Sequence, residues 1–204
     1  MIKNLIIYFL FVFTTIILSS SIKADNKIEH KIAVLVNEDV ITSYDIIQRL
    51  KLTAILQNIN LNNQNNQLMV NNAVDELIQE KVKLEKINEY KIKVDEEEYL
   101  AFESNFFLRN NIDQSKILSL LNENNIDYNE LKELLMKELS WGKLISGLYL
   151  RFTSVSQLEI DEIISKNPNI TYDQAKSLVT QRQLDLQSSK LLRDIMNEAT
   201  IEYR

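Results

Sequence analysis

The chain is expected to be mainly α: a multi-helix core module, a small sheet formed by an N-terminal hairpin and a C-terminal strand, and a long C-terminal helix. Three observations predict this. Two Gly and one Pro in 204 residues leave an all-β fold without its turn residues. Three segments of helical apolar spacing open on Asp or Thr followed three residues later by Glu or Gln, namely Asp95…Glu98, Asp127…Glu130 and Thr171…Gln174. In each, the first side chain is suited to satisfy an orphan backbone N–H and the second to reach back, as in a capping box. Finally, the terminal "ATIEYR" alternates in polarity, which suits a strand, and a lone strand needs a partner.

The elements follow in order. Residues 1–24 open with Lys3, continue through an uncharged apolar run from Leu5 to Ser21, and end at Ala24. This is the layout of a secretory signal peptide, with cleavage after Ala24 or after Ser21; an uncleaved membrane anchor is the alternative for the same run. Residues 25–204 are then the working module. Removing residues 1–24 takes away Lys3 and Lys23 and leaves 21 basic against 29 acidic residues, a net charge of −8. An acidic body is repelled by nucleic acid and by anionic lipid headgroups. With no cysteine there is no disulfide framework, thiol nucleophile or lipid-attachment site, so packing alone must hold the fold.

"KIAVLVNEDVI", residues 31–41, reads as two short strands around a turn at Asn37-Glu38-Asp39. Thr42 or Ser43 caps a helix of about 15 residues carrying Ile46, Ile47, Leu50, Ala54 and Ile55. Asn-rich residues 58–67 form a loop, and the abundance of Asn is read as coding bias. Residues 68–90 carry the strongest helical stripe, with Met69, Ala73, Leu77, Leu84 and Ile87 along it. A short helix at Gln114–Glu123 and another near Ser156–Ser165 separate the three capped ones. The middle of helix 171–197, "TQRQLDLQSSK", is poor in apolar residues and its end "LLRDIM" is rich. The helix is therefore expected to meet the core at its ends more than at its centre. The final strand finds its partners in the opening strands, so the two ends of the module meet.

Chemistry is scarce. The single histidine, His30, sits beside the module's N-terminus without partners for general-base work. One histidine and no cysteine exclude Cys/His zinc sites, and no cofactor is expected. The carboxylates of "DEEE", residues 95–98, open a helix, where negative charge is favoured by the dipole. Gly142 and Gly147 lie within a helical stretch, so no phosphate loop exists. The surplus is apolar instead. Tyr99, Phe102 and Phe106 share one helix face, with Leu100 and Phe107 on the next. In helix 127–150, Leu131, Leu135, Gly142, Ile145 and Tyr149 form one stripe and Trp141, Leu144, Leu148 and Phe152 another. Both sets fit burial between helices, or an apolar crevice for a partner chain. The candidate contact residues are Phe102, Phe106, Phe107, Trp141, Leu148 and Tyr149.

These residues resemble a known family. "AVLVNEDVITSYDIIQRLKL" is similar to the opening of the SurA-type periplasmic chaperones, with Val36-Asn37, then Val40-Ile41-Thr42, then Asp45 at the first helix. "AVDELIQEKVKLEKINEYKIKVDEEEY", "NNIDYNELKELLMKELSWGKLI" and "SSKLLRDIMNEATIEYR" are similar to the segments that follow, in the same order. The resemblance spans nearly all of residues 31–204. It departs at Lys91 and Asp39, where the family has Gly and where a positive φ is favoured. It also lacks the parvulin-type prolyl isomerase domains that many members carry. "RFTSVSQLEIDEIISKNPNITYDQAKSL" runs straight across the point of insertion, and such a domain needs about 90–100 residues. The resemblance implies a core module of N-terminal helices plus the C-terminal helix, exported to the periplasm. It also implies an ATP-independent chaperone, not an enzyme, that binds unfolded or extended outer-membrane β-barrel proteins through an apolar crevice and assists their assembly. No nucleic acid and no stable membrane insertion after signal cleavage are implied. A prolyl isomerase, and a structural adaptor with one dedicated partner or a homodimer, stand as alternatives.

Overall fold

The computed structural model describes residues 31–59 and 66–204. The expected signal segment, His30 and residues 60–65 of the Asn-rich loop lie outside them. Two strands, β1 (Ile32–Val36) and β2 (Asp39–Thr42), form the opening hairpin. Among the described residues seven helices follow: α1 (Ser43–Leu56), α2 (Asn66–Glu89), α3 (Glu96–Arg109), α4 (Gln114–Glu123), α5 (Tyr128–Tyr149), α6 (Gln157–Lys166) and α7 (Tyr172–Glu198). A 3-10 turn at Leu150–Phe152 extends α5, and β3 (Ile201–Tyr203) closes the fold. The expected class is the observed one: mainly helical, with a small sheet and a long C-terminal helix.

The sheet is antiparallel, in the order β2-β1-β3. Val34 pairs with Ile41 on one side and Tyr203 on the other, and Val36 with Asp39 and Ile201. Asn37 ties the ends together. Its N–H donates to the Thr200 carbonyl at 2.9 Å, and its Oδ1 accepts from the Thr200 N–H at 2.9 Å. Its Nδ2 donates to Glu85 of α2 at 2.8 Å. The positive φ of the hairpin falls on Asn37, at 52°, and not on Asp39.

Three apolar clusters organise the helices. Val34, Val36 and Ile41 of the sheet pack with Ile78 and Val82 of α2, Trp141 and Leu144 of α5, and Leu184 and Ile195 of α7. A second cluster joins Leu52 of α1, Tyr99 and Phe107 of α3, Ile117 and Leu121 of α4, and Leu131 and Leu135 of α5. In the third, Ile160 of α6 packs on Ala175 and Val179 of α7. The two ends of α7 belong to different clusters, but its centre meets the core as well, contrary to the expectation from its polar middle: Leu184 is buried in the first cluster with Ile195.

The caps correct the sequence reading in two places. Asp95 with Glu98 and Thr171 with Gln174 form full capping boxes, and Thr42 forms one with Asp45. Asp127 caps α5 by accepting from the Asn129 N–H at 2.9 Å, but Glu130 does not complete a box. Glu130 lines a small cleft between α1, α2 and α5. Partial loss of hydration there, with the neighbouring charges of Glu133 and Asp45, pushes the carboxyl of this exposed residue above the usual range.

The second correction concerns asparagine. Four helices end in the same way. Asn58, Lys91, Asn111 and Asn125 take φ near 53°, and the following Ile59, Ile92, Ile112 and Ile126 each donate an N–H five residues back. This is the Schellman closure, in which the left-handed residue is followed by an apolar one that covers the last turn. Asn tolerates that conformation better than other non-glycine residues. A chain with two glycines therefore ends its helices on Asn, and the Asn content carries structural information.

Lys91 is the exception. Lysine at φ 54° carries a steric penalty that glycine avoids. Lys91→Gly is expected to stabilise the protein by about 0.5–1 kcal/mol. A urea melt checks this: the midpoint should rise with unchanged slope, and a lower midpoint would contradict the account.

Candidate functional site

Helix α5 is shared by the first two clusters, and beside it runs a groove. Glu138, Leu139, Gly142, Lys143 and Ser146 of α5 line it, with Gln181, Leu184, Asp185 and Ser188 of α7 and Phe102 of α3. Trp141 and Ile145 form its base, and the cavity is about 490 Å3. The base is held firmly. Trp141 is 4% exposed, and its indole N–H donates to Ser188 Oγ at 2.8 Å, which fixes the ring between α5 and α7. Lys83 Nζ lies 5.6 Å from the centre of the same ring, within cation–π range.

The local sequence explains why the groove stays open. The polar middle of α7 supplies Gln181 and Asp185, exposed side chains that do not fill the space opposite them, and Ser188, turned toward Trp141. On α5, Gly142 leaves a gap: a Cβ there would meet no atom within 4 Å. Packing does not require glycine at this position, and glycine inside a helix costs roughly 0.5–1 kcal/mol relative to Ala. Its effect here is to widen the groove.

Lys143 is pinned at the rim. Its Nζ donates to both oxygens of Glu98, at 2.7 and 2.6 Å, and to the Lys93 carbonyl at 2.6 Å. The hydrogen bonds from Lys143, then from the Asp95 N–H, hold the Glu98 carboxyl below its usual range. Thus Glu98, which opens α3 and completes its capping box, also orients a groove residue.

The six residues singled out from helical spacing do not converge on one surface. Phe102 and Trp141 meet at the groove. Phe107 is in the interior of the second cluster, 5% exposed, and the half-buried Phe106 packs edge-on against it, ring centres 5.5 Å apart. Leu148 and Tyr149 are half-buried against the first cluster, farther along α5. The reason is Glu103. The buried stripe of α3 is Tyr99, Glu103 and Phe107, four residues apart. A carboxylate inside that stripe disguises it in the sequence, so Phe102 and Phe106 look central when they flank it. Leu139, Leu184 and the polar residues of α7 were missed as groove residues. The only signal for the α7 residues is the apolar-poor middle of that helix, ahead of its apolar end.

A second concavity, about 200 Å3, lies between α1, α2 and α5 and is dominated by charge, and a third, about 330 Å3 and mostly apolar, lies between α1 and the start of α2, lined by Leu50, Ile59, Leu68 and Met69. In the second, Arg49, 8% exposed, is hydrogen-bonded to Glu80 and 3.6 Å from Glu76, and Lys137 Nζ lies 3.5 Å from Glu80. Charges that neutralise one another across three helices fasten them together. Among the described residues, no group of three or more His, Cys, Asp or Glu is placed to hold a metal ion, and no helix is long and apolar enough to cross a membrane.

No family model matches the chain, and no curated protein matches it. Among solved structures, the fold is similar to one described in the words "The virulence factor PEB4 and the periplasmic protein Cj1289 are two structurally related SurA-like chaperones in the human pathogen Campylobacter jejuni". The match has a TM-score of 0.43 and 15% identity, and covers 85% of this chain and 98% of that one. At that distance the likeness says nothing of what this chain binds.

Proposed function

We propose that this protein is an ATP-independent periplasmic chaperone whose groove between α5 and α7 holds extended apolar segments of unfolded outer-membrane β-barrel proteins. The observation that carries the reading is the groove itself. Its base is fixed by the Trp141–Ser188 hydrogen bond, its floor of Trp141 and Ile145 is apolar, as are Phe102, Leu139 and Leu184 along its sides, and Gly142 leaves it unfilled. Its volume falls within the about 300–1,000 Å3 typical of small binding sites. That is room for a few side chains of an extended chain and too little for a folded partner. A holdase needs reversible apolar contact of modest affinity, and no chemistry. The sequence motifs shared with SurA-type chaperones, and the signal-like residues 1–24, favour the periplasm and these clients.

The test is aggregation of a urea-diluted outer-membrane β-barrel protein, followed by light scattering with and without this chain. Suppression near stoichiometric amounts is the expected result. No suppression by a folded, helical sample would move the assignment to an adaptor with one dedicated partner. Catalysis of proline-limited refolding would favour an isomerase.

Gly142 supplies a variant that separates binding from folding. Gly142→Phe starts its side chain from a Cβ that meets no atom within 4 Å and sets a ring at the exposed edge of the groove, so its melting temperature should stay the same or rise. Suppression of aggregation should fall at least fivefold in the concentration required. Gly142→Ala should raise the melting temperature by about 1–4 °C and retain activity. A fully active Gly142→Phe would remove the groove from the proposal.

A further inference from the structure

Resting on that reading of the groove, we infer that it selects by charge: it takes apolar segments flanked by Lys or Arg and disfavours those flanked by Asp or Glu. Three charged side chains line it, Glu138 and Lys143 from α5 and Asp185 from α7. They are not equivalent. Lys143 is neutralised by Glu98, with both carboxylate oxygens within 2.7 Å. Asp185 accepts only from a neutral donor, Gln181 Nε2 at 2.8 Å, one turn back on its own helix. Among the described residues neither Asp185 nor Glu138 forms a salt bridge with any Lys or Arg.

The groove is therefore lined by two carboxylates, one from each wall, without counter-charge, and its one cation is already matched. An extended segment lying between α5 and α7 passes both. A basic residue next to its apolar anchor finds a partner on either side, while an acidic one meets like charge. The field of the whole chain, net −6, has the same sign and adds to the steering of basic segments. Lys83, whose ammonium faces the Trp141 ring, is a nearby cation, but it is not among the groove-lining residues.

Trp141 is the only tryptophan in the sequence and forms the groove base, so its emission reports occupancy directly. The probes are three tryptophan-free peptides with a common Phe-Leu-Phe centre, flanked by Lys, by Ser or by Glu, titrated into the purified chain. The Lys-flanked peptide should bind about five- to tenfold tighter than its Glu-flanked twin at low salt. That ratio should approach one near 1 M salt, where the Debye length is about 3 Å. In the double variant Glu138→Gln/Asp185→Asn the ratio should fall toward one at low salt as well. Equal affinities in the unmodified protein would overturn the charge preference and leave the groove assignment standing. A preference that persists in the double variant would place its source elsewhere on the surface and overturn the roles of Glu138 and Asp185. Absence of binding by all three peptides would overturn the groove reading itself, and the charge preference with it.

Discussion

Arg49→Met is expected to lower stability by about 3–4 kcal/mol, among the largest losses from any single change outside the apolar core. Arg49 sits near the middle of α1, 8% exposed, and faces α2 and α5. Its guanidinium is hydrogen-bonded to Glu80, itself only 13% exposed, and lies 3.6 Å from Glu76. Burial alone would lower the guanidinium pKa. The hydrogen bond and charge of Glu80, with the charge of Glu76, outweigh it and hold the pKa above its ordinary value, so the cation is secure. Methionine retains much of the stem packing and deletes the charge. Glu80 is then left in a half-closed cleft with only Lys137 at 3.5 Å. The cost is mainly that of a buried carboxylate without adequate compensation. Thermal melts should show a fall of about 6–16 °C for a chain of this size. The double variant Arg49→Met/Glu80→Leu should recover at least half of the loss, because both ends of the pair are then apolar. A single variant losing under about 1 kcal/mol would mean that Glu80 swings to water and that the pair is worth no more than a surface one.

Glu103→Ala is expected to cost a comparable amount, about 3 kcal/mol, for a different reason. Glu103 is 6% exposed and accepts from two phenols, Tyr99 at 2.9 Å and Tyr128. The two hydroxyls are themselves 3.1 Å apart. Tyr99 is almost fully buried, and burial, followed by the bonds to Tyr128 and Glu103, pushes its phenol well above the ordinary value. The carboxylate thus joins α3 to the start of α5. Alanine leaves two phenols short of an acceptor and opens a cavity between them, and each unsatisfied buried group costs about 1–3 kcal/mol. Glu103→Gln keeps one carbonyl oxygen and should lose only about 1 kcal/mol. If Ala and Gln prove equally mild in denaturant melts, water must reach the phenols when the carboxylate is gone.

The same carboxylate shows where sequence reading stops. Helix starts were legible because capping is local: an Asp or Thr with a Glu or Gln three positions on marked the starts at Asp95, Asp127 and Thr171, although Glu130 completes no box, while the first helix was placed only to Thr42 or Ser43. The meeting of the two chain ends was legible because a lone alternating strand has few partners. Glu103 was not, because its burial depends on two tyrosines that arrive from different helices. Asn58, Asn111 and Asn125 looked like composition, and became helix stops only when their φ values and the isoleucines after them were seen together. The groove followed the same rule. Phe102 and Trp141 were within reach of periodicity, but the facing wall is built from the polar stretch of α7, which no apolar pattern marks.

The closure of the sheet also fixes the order in which the molecule is assembled. Asn37 and Thr200 are separated by 163 residues, and joining points so far apart along an unfolded chain costs about 4–5 kcal/mol in loop entropy. Little of that is recovered until the helices between have already drawn the ends together, so β3 is expected to dock late and α7 with it. One wall of the groove belongs to α7 and the other to α5. The groove is therefore expected to be completed only when α7 docks, in a late step of folding. On the proposed reading, a groove that is completed last keeps the protein from engaging unfolded chains, or its own copies, before it is finished.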